Sequence, residues 1–189
     1  MNPQKNKPKK TIPPGHPIWA VQTEITLSQI NKENVKNLKV AWSYSAQDSG
    51  QMQMNPIVVD TIMYGVTAAL RAVAIHAGTG KELWRFGDSL RLNLSTSRGV
   101  VYWSKGNDKR ILYTAGPNLY AINALTGKSI PSFGDSGKID LHAGMPDWAK
   151  NKFLISNTPG TIYKDLIIMP IRLGEDVGSA PGNVMAFNV

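Results

Sequence analysis

Ala74-Ile-His-Ala-Gly-Thr-Gly-Lys-Glu-Leu-Trp84 returns as Ala121-Ile-Asn-Ala-Leu-Thr-Gly-Lys128, and its opening returns once more as Ala186-Phe-Asn-Val189. A phrase repeated at intervals of roughly 45 to 65 residues marks an array of similar units, each leaning on a neighbour to bury its hydrophobic face. The third copy stops before its Thr-Gly. The sequence is therefore expected to be the amino-terminal portion of a longer repeat protein.

Around the first copy lie four apolar, strand-length runs, Pro56 to Val59, Ile62 to Val66, Ala72 to Ile75 and Glu82 to Phe86. They are separated by Asp60-Thr61, by Thr67 to Leu70 and by Ala77 to Gly80, all stretches of turn composition. Four strands in succession make one blade of a β-propeller. Trp84 follows its turn closely enough to brace it or to dock on the adjacent unit. A second unit runs from Gly99 to Trp103 through Ile111 to Thr114 and Leu119 to Ile122, with its fourth strand from Lys128 onward. A third begins at Thr161 to Tyr163, turns at Lys164-Asp165, continues through Leu166 to Met169 and resumes at Val184 after a long loop. The expectation is an all-β chain of about three blades of four-stranded antiparallel sheet over residues 18–189. Three blades leave a ring open, with unpaired strand edges that further blades would cover.

Upstream, residues 1–17 read as a basic, proline-rich tail: four lysines fall within Met1 to Lys10, and Pro13, Pro14, Gly15 and Pro17 break any regular structure. A short helix is predicted over Ile30 to Leu38, with Asn31 as N-cap and Val35 and Leu38 on one face. A strand is predicted over Leu38 to Ser45, placing Val40, Trp42 and Tyr44 on one side.

Composition limits the function classes. With 42% hydrophobic residues, 18% charged and five Trp, the chain can build a sizeable core. The formal charge of +8 owes much to the tail, and elsewhere Lys and Arg are scattered singly. That pattern argues against nucleic-acid binding. Without cysteine there is no disulfide and no Cys-based zinc site. No run approaches the ~18 apolar residues of a membrane span, and the start has no apolar stretch of a secretory signal. His16, His76 and His142 lack ligand spacing, which argues against zinc and against a His-based triad. His76 belongs to a surface turn, and His142 lies on an inter-unit connection.

Consecutive antiparallel strands place the segment entering each first strand, and the loop between second and third strands, on one common face. Gln53 and Asn55, Arg98, and Asn157-Thr158 hold that position in the three units. The loop Ile171 to Asn183 joins them, carrying Arg172, Glu175 and Asp176. It is far longer than its counterparts Thr67 to Leu70 and Ala115 to Asn118, and a lengthened loop on a shared face is a natural place for function. The residue types suit a planar anionic ligand with a hard cation: Arg98 can fork onto a carboxylate, amides and hydroxyls can orient it, and Glu175 with an amide oxygen can ligate calcium.

Several phrases carry a family resemblance. Ala-x-x-Ala-x-Thr-Gly-Lys-x-x-Trp (Ala74 to Trp84), Gln29-Ile-Asn-x-x-Asn-Val-x-x-Leu38-x-Val-Ala-Trp42, Asn55-Pro-Ile-Val-Val-Asp60, Ser97-Arg-Gly-Val-Val-Tyr-Trp103, Pro131-Ser-Phe-Gly-Asp135 and Tyr163-Lys-Asp-Leu-Ile167 stand in collinear order. Together they resemble the pyrroloquinoline quinone (PQQ) dependent dehydrogenases, or quinoproteins, and most nearly the quinoprotein glucose dehydrogenase branch. The resemblance implies an eight-bladed propeller holding PQQ near its axis with a calcium (or magnesium) ion. It also implies oxidation of a glucose-like sugar or an alcohol, electron transfer to ubiquinone or a cytochrome, and a periplasmic location. Carried over by position, Gln53, Arg98, Thr158 and Arg172 are expected to contact PQQ and Glu175 to contact the metal. The family's catalytic Asp and its basic partner lie in later blades, so no catalytic residue is expected here. By the same reasoning the chain is expected to be inactive without the remaining blades. The vicinal cysteine pair of alcohol-oxidising relatives is absent, Leu94-Ser-Thr-Ser97 standing in its place. The alternative is a non-catalytic propeller scaffold of the outer-membrane assembly type, which shares the repeat but has no use for Arg98 or the Glu175 loop.

Overall fold

The computed structural model describes residues 29–88 and 96–189. The tail assigned to residues 1–17, the start of the propeller region at 18–28, and Leu94-Ser95 lie outside the described residues. The chain divides into two compact units, Met1–Leu38 and Lys39–Val189.

In the first unit, the predicted helix is a single 3₁₀ turn, Val35–Asn37. The predicted cap at Asn31 is present, but Val35 and Leu38 stay 49% and 60% exposed, so little burial holds a longer helix. Asn31 Oδ1 accepts from the backbone N–H of Glu33 and of Asn34, both at 3.0 Å, while Asn34 Oδ1 accepts from Asn31 N at 2.8 Å. These bonds satisfy N–H groups that a helical ladder leaves open, and Val35 N–H reaches Asn31 O at 2.9 Å.

The second unit is a partial β-propeller of successive antiparallel sheets. β1 (Ile57–Val59), β2 (Ile62–Val66), β3 (Ala72–His76) and β4 (Glu82–Phe86) form the first, in that order. β5 (Val101–Lys105), β6 (Asp108–Ala115), β7 (Asn118–Asn123) and β8 (Lys138–Asp140) form the second. β10 (Thr161–Tyr163), β11 (Leu166–Met169) and β13 (Met185–Asn188) form the third. Between the second and third sheets, β9 (Leu154–Ile155) pairs with β12 (Arg172–Leu173) as a two-stranded ribbon. No helix among the described residues is long and apolar enough to cross a membrane.

Two expectations need correction. The fourth strand of the second sheet does not run on from Lys128. Ser129 makes only a bridge to Ile122, residues 131–137 leave the sheet, and β8 returns to pair with Asn118 to Tyr120. Pro131 has no N–H to give a ladder, and Phe133, 3% exposed, anchors the excursion in the core. The segment Leu38 to Ser45 has no strand ladder among the described residues. Its alternation persists in part: Trp42 and Tyr44 are half-buried, whereas Val40 is exposed.

Side-chain bonds rather than backbone pairing hold that segment to the first sheet. Tyr44 Oη bonds Glu82, and Arg85 Nη2 donates to Tyr44 Oη at 2.8 Å and to Glu82 Oε2 at 2.7 Å. Arg85 Nη1 reaches Ala46 O at 2.8 Å, and Arg71 pairs with Asp48. Hydrogen bonding from Arg85 holds the Glu82 carboxyl below its usual range. Burial works against ionisation of Asp48, but bonds from Thr67, the Ala69 N–H and Arg71 outweigh it and lower that carboxyl too. Burial, reinforced by Glu82, pushes the Tyr44 phenol up to about 12.

The repeated phrase now has a physical meaning. Trp42 Nε1 donates to Ala77 O at 2.9 Å, and Trp84 Nε1 donates to Ala124 O at 2.9 Å. Each indole lies on the glycine of the receiving turn: a Cβ on Gly80 or Gly127 would stand 2.7 Å from ring carbons of Trp42 or Trp84. Those glycines have φ of +72° and +71°, a conformation that disfavours any side chain. Trp103 Nε1 likewise donates to Lys164 O at 3.1 Å in the first turn of the third sheet. The first two repeats thus each end in a turn whose glycine receives an indole.

Period-two alternation divides the core. Ile111 and Tyr113 of β6, with Ile122 of β7, pack toward the first sheet against Tyr64, Val66 and Ala74. Leu112, Leu119 and Ala121 face the opposite way and pack with Leu154, Ile167 and Met169. The middle sheet is buried on both faces, as stacked blades require.

Candidate functional site

The entry segments of the three sheets are joined through their backbones. Asn55 N donates to Arg98 O at 3.0 Å, and Arg98 N donates to Asn157 O at 2.7 Å. Asn55 also forms a parallel bridge with Gly99. The approach requires glycine: a Cβ on Gly99, at φ +137°, would meet Asn55 O at 2.7 Å. The expected common face is thus a physical contact between successive blades.

Two buried serines shape the segments. Ser97 Oγ bonds Gly99 through its carbonyl at 3.2 Å and its N–H at 3.3 Å. Ser156 Oγ donates to Pro170 O at 2.7 Å and lies 3.1 Å from Thr158 O, and Ser156 O accepts from Thr114 Oγ1 at 2.6 Å. Satisfied locally, each serine turns the residue after it, Arg98 or Asn157, toward the shared face. The Ser156 to Pro170 bond ties the entry of the third sheet to the base of the long loop. β9 and β12 continue that tie, with Arg172 opposite Ile155.

The result is a cleft of about 250 Å³ lined by Arg98, Ser156, Asn157, Thr158, Pro170, Ile171 and Arg172. Three of the expected residues, Arg98, Thr158 and Arg172, come together in it. Gln53 does not line it; its Oε1 accepts from Thr96 Oγ1 at 3.4 Å. Glu175 also lies outside the lining and is exposed farther along the loop. Asn157 takes a fuller part than its sequence context indicated. Its Oδ1 is sealed from solvent with no hydrogen-bond partner among the described residues. The parallel between Ser97-Arg98 and Ser156-Asn157 is the signal that could have singled it out.

The lining holds two guanidinium groups, two hydroxyls (Ser156 and Thr158) and an amide, and no carboxylate. Guanidinium forks match carboxylates in shape and charge, so this donor set fits a planar polycarboxylate such as PQQ. A metal is less well provided for, since no group of three or more His, Cys, Asp or Glu among the described residues could hold one.

Comparison with known proteins agrees with the geometry. Residues 25–189 match the family described as the PQQ β-propeller domain of glucose, ethanol and alcohol dehydrogenases. The chain belongs to that family of quinoprotein dehydrogenases. Over 93 residues it is 41% identical to quinoprotein glucose dehydrogenase A of Acinetobacter calcoaceticus, covering 43% of this chain and 12% of that protein. It is 34% identical over 93 residues to the dehydrogenase subunit of a quinone alcohol dehydrogenase from Gluconobacter oxydans, covering 46% of this chain and 12% of the relative. The crystal structure of quinohemoprotein alcohol dehydrogenase from Comamonas testosteroni superposes with a TM-score of 0.62 at 25% identity, over 77% of this chain and 21% of that one. The chain thus spans only a minor part of the length of the relatives it matches.

Proposed function

We propose that this chain contributes the opening blades of a PQQ-dependent dehydrogenase that oxidises a sugar or an alcohol, and that its cleft binds the cofactor. The observation that carries the reading is the hydrogen-bonded joining of Asn55, Arg98 and Asn157, which gathers Arg98, Thr158 and Arg172 around one cavity. Arg98 and Arg172 clamp carboxylates, the Thr158 hydroxyl fixes the ring's orientation, and Gln53, outside this lining, is left to contact the cofactor from the segment before the first sheet. Bound PQQ supplies the two-electron acceptor for the substrate's carbon–hydrogen bond; the protein binds, orients and shields it. Glu175 offers one carboxylate to a calcium or magnesium ion, the remaining ligands coming from elsewhere in the complete enzyme. Ubiquinone or a cytochrome is the proposed electron acceptor, and the periplasm the proposed location, both on family grounds.

A cleft built from a few entry segments covers only part of a planar cofactor, so affinity and turnover require further blades. Equilibrium dialysis of the chain against PQQ with excess calcium, read at the cofactor's absorbance, tests this. Retention should be weak, with no saturation at micromolar PQQ. Saturable micromolar binding would show that the cleft needs no further blades.

A further inference from the structure

The connection between β8 and β9 contains an imidazole held between two acceptors. His142 Nδ1 lies 2.8 Å from Asp140 Oδ1, and His142 Nε2 lies 2.9 Å from Lys152 O. The backbone N–H of His142 donates to the same Asp140 oxygen at 2.9 Å. Neither a carboxylate nor a carbonyl can donate, so both ring nitrogens must carry protons for both contacts to be hydrogen bonds. Only the imidazolium does so. Its side chain is 14% exposed, which limits replacement of a lost bond by water.

Position gives the contact its consequence. His142 stands at the start of the connection and Lys152 at its end, so the ring closes the neck of the loop. Within the loop, Leu141, Met145 and Ala149 are buried in the second core. Phe153, β9 and then Ser156, Asn157 and Thr158 follow Lys152 directly, and the last three line the cleft. We infer that His142 is a protonation-dependent positioning residue: its imidazolium latches the connection that carries Ser156 to Thr158 into the cleft, and deprotonation releases it. The bearing of the latch on PQQ rests on the function proposed above; the latch itself does not.

The side that opens follows from electrostatics. A neutral ring keeps one N–H, and presenting a bare nitrogen lone pair to the Asp140 carboxylate is the costlier choice. The proton therefore stays on Nδ1, and the Lys152 bond is the one lost. Asp140 is the charged side chain acting on the ring. Lys152 contributes its carbonyl, and the loop's other charged pair, Lys150 and Asp147, bond each other at 2.6 Å. Burial opposes the charge on His142, but the Lys152 carbonyl and Asp140 outweigh it, so the group titrates above its ordinary value near 6.5. With the folded value raised, the latch contributes fully below about pH 6.5 and is lost as pH rises through the folded value.

The test is an NMR titration of the chain without ligand from pH 5 to 9, following the His142 ring and the amides of residues 152–158. The ring should titrate above 6.5, and the amides of Lys152, Ser156, Asn157 and Thr158 should shift with the same midpoint. His142→Gln should abolish that step. Asp140→Asn, which keeps the ring, should move the midpoint down and serves if the first variant does not fold. A His142 midpoint at or below 6.5, or cleft amides that stay flat through it, overturns the latch. PQQ-induced shifts at Arg98 are a separate readout, so failure of the latch and failure of the cofactor site are distinguishable.

Discussion

Replacing Gly127 by alanine tests the indole dock against an internal control. Gly127 has φ +71° and a virtual Cβ 2.7 Å from the Trp84 ring, whereas Gly106 has φ +59° and nothing within 4 Å of its virtual Cβ. Both substitutions place a side chain in the left-handed region, at about 1–2 kcal/mol each. Only Gly127→Ala must also displace the indole, which then loses its 2.9 Å bond to Ala124 O. A net hydrogen bond contributes about 0.5–1.5 kcal/mol. Displacement also disturbs the packing of Trp84 beside Tyr64, whose ring centroid is 5.9 Å away. An aromatic pair of this kind adds about 0.5–1.5 kcal/mol. Gly127→Ala should therefore destabilise by about 1–3 kcal/mol more than Gly106→Ala. Urea unfolding followed by tryptophan fluorescence measures both, provided the slopes match that of the unsubstituted chain. Equal costs for the two variants would refute the idea that the repeated Thr-Gly exists to receive an indole.

Thr114→Val removes the buried donor to Ser156 O while nearly preserving shape. The structure predicts a loss of about 1–3 kcal/mol in the same unfolding assay, with amide shifts concentrated at residues 156–158; a neutral substitution would contradict the role given to that bond. Acid should loosen the 42–48 segment first. Asp48 and Glu82 have folded values below their ordinary ones, so their contribution is present above about pH 4.5 and lost as pH falls through the folded values. Hydrogen exchange between pH 6 and 3 should show faster amides at residues 42–48 before β6 and β7 open, and simultaneous opening would count against the network.

The sheets were legible where sequence and physics share a period. β1 to β4 fall within a residue or two of the apolar runs, because each run is bounded by turn residues and faces a neighbour on at least one side. Elements whose reason lies far away in the chain were not legible. The β9–β12 ribbon has only two residues per strand, too few for any periodic signal, and depends on the Ser156 to Pro170 bond. The excursion at residues 131–137 is an apolar anchor, Phe133, in a stretch that reads locally as a strand continuation. The helix is cut to one turn although Asn31 caps it, because Val35 and Leu38, alike in periodicity to a buried face, remain exposed. In the cleft, strand direction sufficed to bring Arg98, Thr158 and Arg172 to one face. It could not say that Gln53 and Glu175 stay outside the lining, since that depends on loop paths. Asn157 was placed on that face beside Thr158, but its unpaired buried oxygen is a feature that only packing reveals.

The most direct measurement of the central claim is an NMR titration of the isotope-labelled chain with millimolar PQQ, repeated with Arg98→Ala. Chemical-shift changes should be confined to Arg98, Ser156 to Thr158 and Arg172, and should be lost in the variant while the indole signals of Trp84 and Trp103 stay in place. Shifts scattered over other surfaces, or shifts unchanged by Arg98→Ala, would contradict it.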